Sequence, residues 1–307
     1  MSFRTDYILY AKNNENANSE FSSGLSLTDT SPEVLSVVFS QCLQSGMHGL
    51  CFSMYEEGQK PGDQISEEQV RRRLKIMAPY TKWVRSFSCT EGNEFVPKIA
   101  RELGMKTLVG AWLGDDTEKN EKEMEALIQL ANEGYVDIAA VGNEVMYRKD
   151  LTEDNLLAFI QKVRKEIPAN IPVGYVDAYY EFTIKPRITE ACDVILTNCY
   201  PYWEGTKQEY SLAHMKSMYH QAMLAANGKK VIITETGWPS HGESFKDSHP
   251  SPENAMKYFI NTQLWSLNEN IEVFYFSSFD ESWKVGPEGE VGAHWGIWDK
   301  DEKLKFI

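Results

Sequence analysis

Residues 231–240 read VIITETGWPS. A run of strand-forming residues leads straight into Glu235, and a glycine, a tryptophan and a proline then stop it. A strand that is apolar on both faces belongs in a sheet covered on both sides, and that usually means a parallel sheet. Runs of the same character recur along the chain: GLCFSM (49–54), WVRSFS (83–88), KTLVGAW (106–112), DIAAVGN (137–143), IPVGYV (171–176), DVILTNCY (193–200), KVIITE (230–235) and VFYFSSF (273–279). Longer amphipathic segments lie between them. Residues 66–80 read as a helix with Ser66 as its N-cap, 121–134 as one ending at a glycine, and 152–167 as one capped by Thr152. Eight strand–helix units in 307 residues predict an α/β protein, a closed (β/α)8 TIM barrel in a single domain. An open doubly wound sheet is the alternative. A further helix at 33–45 precedes the first strand and is expected to cap the barrel floor. Residues 12–31 are rich in Asn and Ser, so 1–31 reads as an N-terminal arm and 32–307 as the barrel.

The composition narrows the function. A net charge of −14 disfavours phosphate backbones, so nucleic acid is not an expected partner. The five cysteines form no C-x-x-C pair and read as buried free thiols. The six histidines are scattered without metal-ligand spacing. Phosphate-binding loops and nucleophile-elbow motifs are missing, and no apolar run is long enough to span a membrane. The first twenty residues do not read as a signal peptide. What remains is acid/base chemistry without a metal or cofactor.

Barrel enzymes carry their chemistry at the C-terminal ends of the strands. The fourth run ends in Asn143 and Glu144, the seventh in Glu235. The eighth leads to Asp280, Glu281, Trp283 and Lys284, and the sixth to Asn198, Tyr200, Tyr202 and Trp203. The second contributes Arg85, Phe87 and Ser88, and the fifth Asp177, Tyr179 and Tyr180. Glutamates ending the fourth and seventh strands would face each other across the barrel mouth. Such a pair can hydrolyse glycosides, one as nucleophile and the other as acid and then base. Trp238 and the rings after the sixth run would offer platforms for sugar faces. A lone glutamate at a strand end is more often a surface residue or a helix cap, and a Tyr/Trp-rich loop is as often an anchor. Lys284 could simply pair with Glu281.

AVGNEV (140–145) and ITETGWPS (233–240) resemble the two catalytic signatures of glycoside hydrolase family 17, the β-1,3-glucanases. The likeness spans about residues 49–306. EGQKPG (57–62), WLGDD (112–116), PYWEG (201–205), FDESWK (279–284) and the terminal GAHWGIWDKDEKLKF (292–306) resemble its bacterial and fungal branch. The resemblance implies a retaining hydrolase of laminarin-like β-1,3-glucan, with Glu144 as acid/base and Glu235 as nucleophile. Asn143 matches an asparagine that contacts the sugar 2-hydroxyl, Tyr200 a substrate-site aromatic, and Glu281 with Lys284 a pair beside the acid/base. The candidate substrate-contacting set is Asn143, Phe52, Tyr55, Arg85, Asp177, Tyr200, Tyr202, Trp203, Trp238, Glu281, Trp283 and Lys284. A monomer acting on β-glucan outside the cytoplasm is expected, whether secreted, periplasmic or at the cell surface.

The chain departs from the family pattern at three places. Phe52 and Phe87 stand where tyrosines are usual, and Glu56 where a basic residue often follows the first strand. The missing hydroxyls motivate a second reading, a weakly catalytic glucan-binding protein. A β-1,3-glucan glucanosyltransferase with the same two glutamates is a third.

Overall fold

The computed structural model describes Leu25 and residues 27–307, so most of the predicted arm lies outside the described residues. All eight runs form parallel strands: β1 (Met47–Cys51), β2 (Thr81–Ser86), β3 (Lys106–Ala111), β4 (Ile138–Asn143), β5 (Val173–Ala178), β6 (Val194–Asn198), β7 (Lys230–Thr236) and β8 (Val273–Tyr275). β1 pairs with both β2 and β8, so the sheet is a closed barrel and the doubly wound alternative is excluded. Closure leaves no strand edge with unpaired backbone groups. The eighth run is shorter in the barrel than its sequence predicts. After β8 the Phe276 and Ser278 N–H groups still donate to Thr236 O and Cys51 O, while Ser277, Ser278 and Asp280 also bond the backbone of 295–298.

The helices are α1 (Pro32–Gln44), α2 (Glu67–Met77), α3 (Phe95–Glu102), α4 (Thr117–Asn132), α5 (Val145–Arg148), α6 (Glu153–Glu166), α7 (Glu181–Ile184), α8 (Pro186–Ala191), α9 (Ser211–Ala226), α10 (Pro252–Glu269) and α11 (Val285–Glu288). Their starts follow the capping chemistry of the sequence. The Gln69 N–H donates to Ser66 Oγ at 3.2 Å and the Asn155 N–H to Thr152 Oγ1 at 3.2 Å. α4 begins earlier than expected because Asp116 caps it, accepting from the Lys119 N–H at 3.1 Å.

α1 does not cap the floor. Only short helices and turns follow β8, and α1 fills the vacant place in the outer ring beside α10. Its buried stripe is Leu35, Phe39 and Leu43. Phe39 lies 4.8 Å from the Phe259 ring of α10 and 5.2 Å from Phe306. The two ends of the chain thus close the barrel wall together.

β4 and β7 each carry one extra residue. Ala140 pairs with Gly174 and Asn143 with Val176, so β4 takes three steps to two of β5. Thr197 pairs with Ile233 and Asn198 with Glu235, so β7 takes two steps to one of β6. Such bulges re-aim the side chains that follow. Each sits immediately before one of the two glutamates.

Phe39→Ala should destabilise the protein by about 3–5 kcal/mol, because the neighbouring rings cannot collapse into the space. Urea unfolding measures this; a loss below about 1 kcal/mol would mean that α1 is not part of the wall.

Candidate active site

Glu235 ends β7 with its carboxyl nearly buried. Its Oε1 accepts from Arg85 Nη1 at 2.7 Å and from Asn198 Nδ2 at 3.0 Å, and its Oε2 accepts from the Tyr200 hydroxyl at 2.9 Å. Arg85 rises from β2 into the barrel and is itself buried. Its other amino group donates to Asn143 Oδ1 at 2.7 Å, and its guanidinium carbon stands 4.1 Å from the centre of the Phe87 ring. One arginine therefore fixes Glu235 and the asparagine before Glu144 together.

Glu144 follows β4 in a left-handed conformation, φ 54°. Only local bonding makes that backbone tolerable for a side chain with a Cβ. Its N–H donates to Val176 O at 2.8 Å, and its carbonyl accepts from the Arg148 N–H at 2.8 Å. The Met146 N–H donates to the Tyr175 hydroxyl at 2.9 Å and the Tyr147 N–H to Asp177 at 3.3 Å. The Tyr175 hydroxyl also bonds Asp177 directly.

Asn198 Nδ2 donates to Glu144 Oε1 at 2.8 Å as well as to Glu235. The two carboxyl oxygens therefore stand at most about 5.8 Å apart, the straight-line limit of those bonds, and this suits the about 5–5.5 Å of a retaining pair. Burial raises Glu144 from the ordinary 4.5 to about 7, and the nearby charge of Glu235 adds to the rise. The Asn198 bond opposes it. Burial likewise raises Asp177 to about 6.

Several residues of the candidate substrate-contacting set are buried. Tyr202, Trp238 and Asp177 are at most 1% exposed. Tyr202 packs on Trp238 and Trp295, and its hydroxyl donates to Glu243 O. Trp238 donates to His249 O. Asp177 supports the turn that carries Glu144. Phe52 is also buried, and Arg85 commits its two Nη groups to Glu235, Asn143 and backbone. Tyr55, Tyr200, Trp203 and Trp283 keep part of their surface open. Lys284 bonds Glu281 at 2.9 Å and lies 4.0 Å from the Phe276 ring centre, and Trp283 Nε1 donates to Glu281 at 3.2 Å. Glu56 pairs with Arg72, away from this cluster.

Asn198 is the largest omission from the candidate set. It stands among the strand-end residues, but only the fold shows that it touches both carboxyls. Among the described residues no group of three or more His, Cys, Asp or Glu could hold a metal, and no helix is long and apolar enough to cross a membrane. The five cysteines are unpaired.

A parallel barrel with two strand-end carboxyls joined through one donor is the architecture of a glycoside hydrolase. A family model described as the BtgE/BtgC glycoside hydrolase domain matches residues 49–296. A β-1,3-glucanosyltransferase of glycoside hydrolase family 17 from Rhizomucor miehei is 30% identical. It superposes with a TM-score of 0.76 over 85% of this chain and 96% of its own. The chain belongs to the BtgE/BtgC glycoside hydrolase domain family, within glycoside hydrolase family 17. A glucan 1,3-β-glucosidase of Candida albicans is 29% identical over 76% of this chain and 83% of its own length. An endo-laminarinase from Formosa shares the fold with a TM-score of 0.75 at 18% identity, covering 86% of each chain.

The raised Glu144 titration has a sign for stability. Its folded value lies above its unfolded one, so its favourable contribution is complete below pH 4.5 and is lost as pH rises through about 7. Glu144→Gln should therefore gain melting temperature over the parent at pH 8 and not at pH 4, as calorimetry would show. Equal differences at both pH values would mean that Glu144 is not held protonated. In Glu235→Gln the Glu144 titration should fall below about 7, since a neighbouring charge is removed. Carbon-13 NMR of labelled carboxyls reads that value directly.

Proposed function

We propose that the chain cleaves β-1,3-glucan with retention of configuration, Glu235 acting as nucleophile and Glu144 as acid and then base. The observation that carries this reading is the shared Asn198 nitrogen, which brings the two carboxyls to one reacting centre. Glu235 forms a bond to the anomeric carbon as the glycosidic bond breaks. Glu144, which retains a proton near neutral pH, gives it to the departing oxygen. Water then enters, Glu144 takes its proton, and the bond between sugar and Glu235 breaks. The partly open rings of Tyr55, Trp203 and Trp283 are the candidate sugar platforms. A polymeric glucan substrate places the action outside the cytoplasm.

One observation favours transfer as a second outcome. The Rhizomucor relative is a glucanosyltransferase. A sugar hydroxyl can replace water in the second step without any change in the catalytic pair. The non-catalytic reading loses its motive, because Glu235 has three donors without the tyrosines absent at Phe52 and Phe87.

Glu235→Gln should lower kcat on laminari-oligosaccharides by at least about 10³-fold while the oligosaccharide still binds. Wild-type turnover in that variant would remove Glu235 from the mechanism. In the parent enzyme kcat/KM should fall above about pH 7, as Glu144 loses the proton it must donate. NMR of the first products should show the β-anomer. Products longer than the starting oligosaccharide would identify transfer.

A further inference from the structure

Asn198 is, among the described residues, the side chain that bonds both carboxyls, and its orientation matters. An amide has a donor end and an acceptor end of nearly the same shape. Turned by half a rotation, Asn198 would present Oδ1 to the pair. That oxygen would repel an ionised Glu235 yet could accept the proton of a neutral Glu144. The carboxyls therefore do not settle the rotamer by themselves. The far end of the amide adds a second constraint. Thr234 Oγ1 donates to Asn198 Oδ1 at 2.9 Å, and although a hydroxyl can also accept, in the turned amide its proton would lose this acceptor. Thr234 is fully buried and Asn198 nearly so, leaving little water to compete for this bond.

The β7 bulge makes the contact possible. Thr197 pairs with Ile233 and Asn198 with Glu235, which leaves Thr234 as the extra residue with no partner on β6. Two consecutive β7 side chains, which would ordinarily point to opposite faces, thus both reach Asn198.

We propose that Thr234 is a positioning residue whose hydroxyl sets the Asn198 amide so that it presents its N–H donors to both carboxyls. The inference rests on the assignment of Glu144 and Glu235 given above. In the first step the donor toward Glu235 supports the charged nucleophile. In the second step Glu235 is an ester without charge. The donor toward Glu144 then supports the anion that takes the proton from water. An amide turned the other way would serve neither step.

The test compares Thr234→Val, which keeps the shape and removes the hydroxyl, with Thr234→Ser, which keeps the hydroxyl. Each is assayed on laminari-oligosaccharide across pH, and Glu144 is titrated by carboxyl NMR. Thr234→Val should lose about tenfold or more in kcat with KM within about twofold, the scale of a bond to a charged group. Its Glu144 titration and the basic limb of its pH profile should both move up by about half a unit or more. Thr234→Ser should return all three to near the parent. Thr234→Ala serves in place of the valine variant if that one does not fold. Combined with Asn198→Ala, the loss of the hydroxyl should have no further effect on the Glu144 titration.

An unchanged Glu144 titration in Thr234→Val, or a serine variant as impaired as the valine one, overturns the proposal. Additive shifts in the double variant overturn it too. A Glu144 titration that moves while the activity limb stays in place supports the positioning role and instead refutes Glu144 as the general acid.

Discussion

Two carboxyls share one largely buried amide nitrogen, and this crowding governs the rest of the structure. Like charges so close in a poorly solvated space cannot both be carried without support. The protein divides them. Glu235 receives a guanidinium, an amide and a phenol. Glu144 receives the amide alone and keeps its proton to about pH 7. The two carboxyls thus sit in unlike environments, as the proposed division of roles between them requires. The chain is strongly acidic, yet two buried cations stand near the pair, Arg85 bonded to Glu235 and Lys284 bonded to Glu281.

Holding that arrangement requires backbone that ordinary strands do not supply. An alternating strand points every second residue inward, and a one-residue change of phase sends a side chain to the other face. The bulges of β4 and β7 make that change just before Glu144 and Glu235. Glu144 then adopts a left-handed backbone that costs about 1–2 kcal/mol. Bonds from β5 offset this cost: the Val176 carbonyl, the Tyr175 hydroxyl and the Asp177 carboxylate all engage residues 144–147. Asp177 thus has a structural reason to stand near the site. Its burial is explained by what it holds.

The barrel was readable because its signal is repeated. Eight buried runs, each followed by an amphipathic helix or a turn, admit few other architectures, and the ends of two runs carry the glutamates. What the letters could not separate has one cause. Aromatic residues after a strand look alike in sequence whether they line a cleft or brace a loop. Trp203 keeps an open face, while Tyr202 and Trp238, its neighbours in the same cluster, do not. Nothing in the letters around Asn198 marks it as the bridge, since its role exists only once the closed barrel brings the ends of β4, β6 and β7 to one mouth. The place of α1 was hidden for a similar reason. Its stripe predicts a buried face, but the partner on α10 lies more than two hundred residues away.

The two phenylalanines at usual tyrosine positions show how such a site tolerates departures. A carboxylate has about four lone-pair positions, and Glu235 already fills three with donors. Position 87 adds no hydroxyl to these donors. Phe87 instead lies against the Arg85 guanidinium, 4.1 Å from its carbon, and meets Phe276 edge to face at 6.2 Å. The ring face attracts the cation without accepting one of its N–H bonds. Arg85 therefore keeps its bonds to Glu235 and Asn143, and Glu235 retains its three donors without a hydroxyl at position 87.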